Sequence, residues 1–363
     1  MSRAREFADL AGSVDAGGIT GKNLIINGAM QVAQRGTSVS YAHDGTIAAY
    51  NLDRFNFAMR GGGYADEYDC TVTQVSDSPD GFPNSLKITT GTAESAIGAD
   101  EYYVLYQSIE AQNLQSLGYG TSSAKKITLS FYVKSSLTGT FGTTLYQADD
   151  NRVINKTYTI DSANTWERKT ITFPGDTTGV IDNDNGGGLN VYWTFGAGSD
   201  FDGGSATTWT AYTNTNLVNS SGSDALITTA GATWQVTGVQ LEIGEKATPF
   251  QHESYEATLR KCQRYYFPAQ NYNIYSGWAV TWSGTTQYPK VNADFPVPMR
   301  AAPTITYAQS NNNTANQIEW VDGSTTGASS WGVGVNGIYF VYTSSSIAQN
   351  ISGQFRYTAD AEL

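Results

Sequence analysis

The stretch His252 to Tyr266, HESYEATLRKCQRYY, gathers one of two histidines, one of two cysteines, two acids and three bases. His252-Glu253 has the opening of the HExxH pattern, where two imidazoles one helical turn apart hold zinc and the glutamate acts as base. Position 256 is Glu, so the second ligand is missing, and the other histidine, His43, is remote in sequence. No GxSxG-type elbow accompanies either histidine, which leaves a Ser/His/Asp triad without support. VIDNDNGGGL (180–189) sets Asp182 and Asp184 on alternate residues ahead of Gly186, like the start of an oxygen-rich calcium loop. The distal Glu is absent, and Asn-Gly and Gly-Gly before a strong strand signal a turn. The expectation is therefore a turn, with a structural calcium as the alternative and no other cofactor. GGG (61–63) and GAGSDFDGG (196–204) are not followed by helices, so they are not phosphate cradles. Nothing selects a carboxylate pair for glycoside cleavage. Cys70 and Cys262 form no CxxC and are expected as two buried thiols.

Aromatic residues are the remaining chemistry. Tyr102, Tyr103 and Tyr106, then Tyr272, Tyr275, Trp278 and Trp282, are dense enough to offer flat rings for a sugar face, with Asn, Asp and Gln nearby as hydrogen-bonding partners. In an alternating strand half of such a set fills the core, so the binding face belongs to the ensemble and not to each ring.

The elements that must hold these rings are strands. The 363 residues include 38 Gly, 23 Tyr and 8 Trp with only 15% charged residues, a turn-rich all-β composition. ITLSFYVKS (127–135) alternates with Ile127, Leu129, Phe131 and Val133 on one face, and LNVYWTF (189–195) does so with Leu189, Val191, Trp193 and Phe195. WERKTITFP (166–174), LDRFNFAM (52–59) and TWQVTGVQLEIG (233–244) complete the clearest set, the last with a switch of apolar face at Gly238 that predicts a bulge. About a dozen strands at roughly 8–12-residue spacing predict antiparallel sheets in a jelly-roll β-sandwich. No fixed-period repeat supports a propeller or β-helix.

Residues 251–267 carry the one credible internal helix. Tyr255, Leu259 and Cys262 fall at i, i+4 and i+7 and are read as an apolar face at a joint between domains or trimer subunits, with Glu256 and Arg260 spaced for an ion pair on the other face. Strands resume after Pro268 (271–282, 317–321, 337–343, 352–359), enough for a small C-terminal β-sandwich or knob domain. The expected organisation is an N-terminal flexible or attachment segment (1–22), a jelly roll (23–250), a helical connector (251–267) and a β tip (268–363).

A net charge of −12 with no basic stripe argues against nucleic acid as partner. Residues 1–18 lack a signal-peptide-like apolar run, and no later run is long enough for a membrane span, so synthesis in the cytoplasm without membrane insertion is expected.

Several motifs together resemble one family. NLIINGAMQVAQRGTS (23–38), YNLDRFNF (50–57), QSIEAQNL (107–114), KKITLSFYVKSS (125–136), TWERKTITFPGDTTG (165–179) and WQVTGVQLEIGEKATPFQHESYEATLRKCQRYY (234–266) are similar to the jelly-roll domain of tailed-bacteriophage tail fibre proteins. FPVPMRAAPTITY (295–307) resembles the start of a fibre tip. The resemblance implies a virion protein, homotrimeric, whose jelly roll is like a carbohydrate-binding module and whose C-terminal part recognises a host-surface glycan. Its N-terminal segment would attach to other virion proteins of tail or capsid. The family offers no catalytic motif, so an adhesin and not an enzyme is expected, with Trp278, Trp282, Tyr272 and Tyr275 as the expected carbohydrate-binding rings. The alternatives are a virion decoration or assembly protein without receptor, a carbohydrate-binding part of a secreted bacterial protein, and a capsule-degrading tailspike.

Overall fold

The computed structural model describes residues 23–42, 47–61, 68–202, 207–219, 222–268, 277–282, 286–289, 293–308, 317–320, 325–343 and 352–363. The chain divides into two compact units, Met1–Tyr255 with Leu363, and Glu256–Glu362. The division falls inside the expected connector.

Unit 1 is built from β1 (Ser38–Ala42), β2 (Ile47–Tyr50), β3 (Asn56–Arg60), β4 (Asp69–Val75), β5 (Ser85–Thr90), β6 (Tyr102–Glu110), β7 (Ile127–Ser135), β8 (Gly139–Gln147), β9 (Arg152–Ile160), β10 (Glu167–Phe173), β11 (Gly187–Ala197), β12 (Thr210–Ala211) and β13 (Thr233–Ile243). Sheet 1 has the order β1-β4-β5-β13-β7-β10 and sheet 2 the order β12-β9-β8-β11-β6-β3-β2. Their pairings are antiparallel throughout. This is the expected jelly-roll sandwich.

The alternation read from sequence decides which residues fill it. Ile127, Leu129, Phe131 and Val133 of sheet 1 and Leu189, Val191, Trp193 and Phe195 of sheet 2 are all buried in one core. Phe131 meets Trp193 edge-on at 5.7 Å, and Phe195 meets Trp234 at 4.9 Å, so rings from the two sheets interlock. Such pairs add about 0.5–1.5 kcal/mol each beyond the area they bury. The bulge predicted in β13 is present: the register with β7 shifts between Thr237 and Gln240, and Gly238 takes φ 61°, open to glycine at little cost.

LDRFNFAM departs from its expectation. The strand begins at Asn56; Leu52 to Arg54 form a buried turn with Arg54 at φ 73°. The reason is polar. Residues 23–34 run as irregular backbone within unit 1; a few of their peptide groups pair with backbone, as Leu24 N–H with Leu241 O and Gly28 O with Val239 N–H, both at 2.9 Å, and many others are satisfied by side chains instead of a ladder. Asn27 Nδ2 donates to Val32 O (2.9 Å) and Asp53 O (3.1 Å), while its Oδ1 accepts from the N–H groups of Gln31 (2.9 Å) and Val32 (3.0 Å). Asp53 accepts from Gln34 N–H at 2.6 Å and Gln34 Nε2 at 2.5 Å. Gln107 of β6 pairs both ways with Ile26, at 2.8 and 2.9 Å, and Gln74 of β4 donates to Met30 O at 2.6 Å. Asn23 brackets β13, donating to Val239 O and accepting from Leu241 N–H, both at 3.0 Å.

In unit 2 the helix α1 (Tyr255–Gln263) starts at the unit boundary. Thr258 and Cys262 are buried and Leu259 is half-buried, but Tyr255 at the start of the helix is 55% exposed, so the apolar face is buried only from Thr258 onward. As the first helical residue it has no preceding turn for its ring to lie on. Glu256 and Arg260 do pair, at 3.2 Å with both side chains largely exposed. The strands are β14 (Tyr266–Pro268), β15 (Gly277–Trp282), β16 (Thr286–Pro289), β17 (Ala293–Asp294), β18 (Thr304–Ala308), β19 (Gln317–Trp320), β20 (Thr325–Gly334), β21 (Gly337–Thr343), β22 (Ser352–Gln354) and β23 (Arg356–Asp360). They form sheets β14-β23-β18 and β16-β15-β22-β19-β20-β21-β17, and a core of Ala293, Phe295, Met299, Tyr307, Ile338, Phe355 and Tyr357 draws on both.

Two expectations follow. Asn27→Ala leaves several buried backbone groups unpaired at about 1–3 kcal/mol each, so it should cost more than about 3 kcal/mol in urea unfolding. Cys70 and Cys262 are buried thiols without a disulfide. Burial pushes the Cys70 thiol up to about 12. That folded value lies above the ordinary value of about 8.5, so the contribution of Cys70 to stability is full below about 8.5 and is lost as pH rises towards 12. Neither thiol should react with iodoacetamide at pH 8 until the chain is denatured, as read by mass spectrometry.

Candidate functional site

The outward face of sheet 2 carries the best-formed constellation of rings and amides. Because β3, β6, β11, β8 and β9 lie side by side, their registers bring Asn56, Tyr106, Tyr192, Thr144 and Asn155 into one row across the sheet. At a strand spacing of about 4.8 Å the row is about 19 Å long. The next row holds Ser108, Asn190, Tyr146 and Val153. The inward neighbours on each strand, among them Phe55 and Phe57, Leu105, Val191 and Trp193, and Leu145, are fully buried, which fixes the outward residues in place.

Tyr106 and Tyr192 lie with ring centroids 5.1 Å apart at 33°. Tyr146 meets Tyr212, which follows β12, at 5.3 Å in an edge contact. Amides orient the phenols: Asn190 Nδ2 donates to the Tyr192 hydroxyl at 3.2 Å, Tyr146 donates to Asn151 Oδ1 at 2.7 Å, and Tyr212 to Asn214 Oδ1 at 2.9 Å. Burial raises the hydroxyls of Tyr146, Tyr192 and Tyr212 above the ordinary phenol value, so all three stay protonated donors in neutral solution.

One end of the face is covered. Phe201 stacks edge-on against Tyr102 at 5.0 Å, Arg60 sits over Phe201 at 5.4 Å, and Leu217 and Val218 join them to bury Ala58 and Val104. The covering segment passes so close that a Cβ on Gly142 would lie 1.6 Å from Asn219 O. Tyr102, Tyr106, Tyr146, Tyr192 and Tyr212 keep partial exposure.

Of the rings singled out by sequence, Tyr102 and Tyr106 are on this face, whereas Tyr103, between them, is fully buried in the core. Trp278 and Trp282 belong to β15, opposite Ser352 of β22 and Thr286 of β16. Tyr272 and Tyr275 lie outside the described residues, as does His43. Tyr192, Tyr146, Asn190 and Asn56 were not singled out. Their signal was the outward half of LNVYWTF, FGTTLYQ and FNF, visible as alternation but not as a face until the strands are paired.

The other candidates have structural work. His252 packs with Phe82 at 5.1 Å and Phe250 at 4.9 Å. Glu242 is buried and accepts from Thr248 N–H, Thr248 Oγ1 and Gln240 Nε2 at 2.7, 2.7 and 2.9 Å, which ties β13 to the Thr-Pro-Phe exit. Asp182 and Asp184 are exposed in a turn: Asp184 Oδ1 accepts from Gly186 N–H at 2.8 Å, and Asp182 N–H is bound by Asp149 at 3.0 Å. Among the described residues no group of three or more His, Cys, Asp or Glu is arranged to hold a metal ion.

No protein-family model matches the sequence, and no curated protein matches it. Among solved structures the chain is similar to the enzymatically active domain of tailspike protein 4 of bacteriophage CBA120, with a TM-score of 0.31 and 12% identity over 61% of this chain and 21% of that one. It therefore spans about a fifth of the tailspike's length. It is also similar to the family 11 carbohydrate-binding module of the cellulosomal cellulase Lic26A-Cel5E of Clostridium thermocellum (TM-score 0.28, 14% identity, 63% of this chain and 99% of that one) and to discoidin II of Dictyostelium discoideum (TM-score 0.19, 10% identity, 79% and 86%).

Proposed function

We propose that this chain is a non-enzymatic, glycan-binding subunit of a tailed-phage particle, a tail fibre or receptor-binding protein that acts as a homotrimer at the host surface. The observation that carries the glycan part is the outward face of sheet 2, where Tyr106 and Tyr192 share a row with Asn56 and stand beside Asn190 and Tyr146. A sugar ring offers C–H groups on its faces and hydroxyls around its edge. Phenol rings take the first and carboxamides the second, on a sheet too rigid to need ordering when the ligand arrives. The virion part is supported by the motif resemblance running from Asn23 to Tyr266.

The adhesin reading is also supported by what the polar residues of the segment from QLEIG to His252 do. Glu242 holds a strand exit and His252 packs on rings. Each glycan contact would be weak, and several copies on one particle would raise avidity through effective concentration.

In a cell-adsorption assay with the intact protein, Tyr106→Ala combined with Tyr192→Ala should lower binding to host cells at least tenfold, which corresponds to about 1.4 kcal/mol. Light scattering should report a trimer for parent and variant alike. Retained adsorption in that variant, with loss in Trp278→Ala/Trp282→Ala, would move the site to unit 2. Shortening of host polysaccharide on incubation would replace the adhesin by an enzyme.

A further inference from the structure

We infer that the rim of the tyrosine face beside Tyr146 and Tyr212 binds an oxo group of the ligand, an acetamido carbonyl or a carboxylate, with Asn151 and Asn214 as its donors; the inference rests on the glycan-binding reading above. Asn56, Thr144 and Asn155 in the middle of the face are buried, but this rim is open: Tyr146 and Tyr212 are half-buried, and Asn151 and Asn214 are exposed. The two phenols meet edge-on at 5.3 Å. Each is tied to one carboxamide, Tyr146 to Asn151 Oδ1 at 2.7 Å and Tyr212 to Asn214 Oδ1 at 2.9 Å. Among the described residues neither amide NH2 group has an acceptor. A carboxamide whose oxygen is taken by a phenol presents its NH2 hydrogens outward. The rim therefore repeats one unit, a flat ring with an amide donor at its edge.

Backbone and amide contacts fix both units. Tyr212 N–H donates to Asn151 O at 2.7 Å, just beyond the pairing of β12 with β9. The 3₁₀ turn Asn214–Asn216 is clamped beside it: Asn216 Oδ1 accepts from Thr213 N–H at 2.7 Å, Asn216 Nδ2 donates to Ala211 O at 2.9 Å, and Asn155 Nδ2 of β9 donates to Asn216 O at 3.0 Å. The donors are set before a ligand arrives, which reduces the ordering cost of binding. A hydroxyl brings a hydrogen that needs its own acceptor, and both carboxamide oxygens here already accept from phenols. A carbonyl or carboxylate oxygen only accepts, and an acetamido methyl would lie against the rings. The charges divide by flank. Arg60, exposed over Phe201 at 5.4 Å, makes its charge felt at Tyr212, where it works against the effect of burial. Arg35 stands over Tyr50 of β2, at the opposite edge of sheet 2. On the other flank Asp149 and Asp150 precede Asn151 and accept from the N–H groups of Asp182 (3.0 Å) and Val180 (2.8 Å). A carboxylate would be drawn to the Arg60 side and opposed on the other; an acetamido group would respond to neither.

The test is an array of N-acetylhexosamine, hexuronate and plain hexose oligosaccharides, probed with the full chain and followed by affinity and melting measurements. At least one oxo-bearing series should bind about fivefold or more tightly than the hexoses, as expected for one or two added hydrogen bonds. Asn151→Asp combined with Asn214→Asp keeps the phenol acceptors but removes the donors, and should abolish that preference at an unchanged melting temperature. Asn151→Ala with Asn214→Ala, which adds no charge, should do the same. Arg60→Gln separates the two sources: it should weaken a hexuronate binder and leave an N-acetylhexosamine binder unaltered. Equal or tighter binding of hexoses overturns the inference. So does full preference in both Asn pairs while Tyr106→Ala with Tyr192→Ala loses binding, in which case the tyrosine face stands without this rim. A melting temperature lowered in both Asn pairs assigns the amides to structure and likewise overturns it. Absence of any binder overturns the glycan reading itself.

Discussion

Irregular backbone can be buried only if every peptide group finds a partner, and this constraint governs how unit 1 is closed. Residues 23–34 form no strand, yet Ile25, Met30 and Val32 belong to the buried interior. Gln107 from sheet 2, Gln74 from sheet 1, and Asn23, Asn27 and Asp53 from loops supply the missing donors and acceptors. Because these side chains come from both sheets, the segment fastens the sandwich as well as covering it. Any one of them replaced by an apolar residue of the same size would still pack, but it would strand a carbonyl or an N–H.

The same constraint explains the polar residues of the most distinctive motifs. Acids and amides in NLIINGAM, NLDRF and QLEIG are spaced for the backbone groups they satisfy and not for a reacting atom. Glu242, for example, accepts three hydrogen bonds from its neighbours and is 2% exposed. Polar residues of unit 1 therefore fall into two sets. One faces inward or into loops and is consumed by architecture; the other faces outward on sheet 2, where Asn56, Thr144 and Asn155 are buried and the tyrosines keep partial exposure.

How much of this was legible follows from the range of the forces involved. Alternation is local, so ITLSFYVKS could be assigned its core face residue by residue, and the break at Gly238 showed as a change of phase. The Glu256–Arg260 pair was equally local. The tyrosine face was not, because Tyr106 and Tyr192 become neighbours only through the pairing of β6 with β11, 86 positions apart, and Thr144 joins them through a third strand. Tyr103 illustrates the converse: three tyrosines in five residues read as one cluster, and the strand period sends the middle one to the core. Leu52 to Arg54 were misread as strand because their conformation is set by Asn27 and Gln34, which lie well upstream.

Placing the proposed binding face on a sheet instead of on loops would have a consequence for specificity. Strand spacing and pleat fix the distances between Asn56, Tyr106, Tyr192 and Tyr146, so the face cannot close on a ligand and must match it as built. Affinity per copy is then limited by area, and discrimination depends on which polar atoms on the face are left for the ligand. On this face most hydroxyls and amides already bind one another, as in Asn190 to Tyr192 and Tyr146 to Asn151. A rigid face of this kind, if it binds as proposed, would gain more from repetition in a multi-copy assembly than from further contacts within one copy.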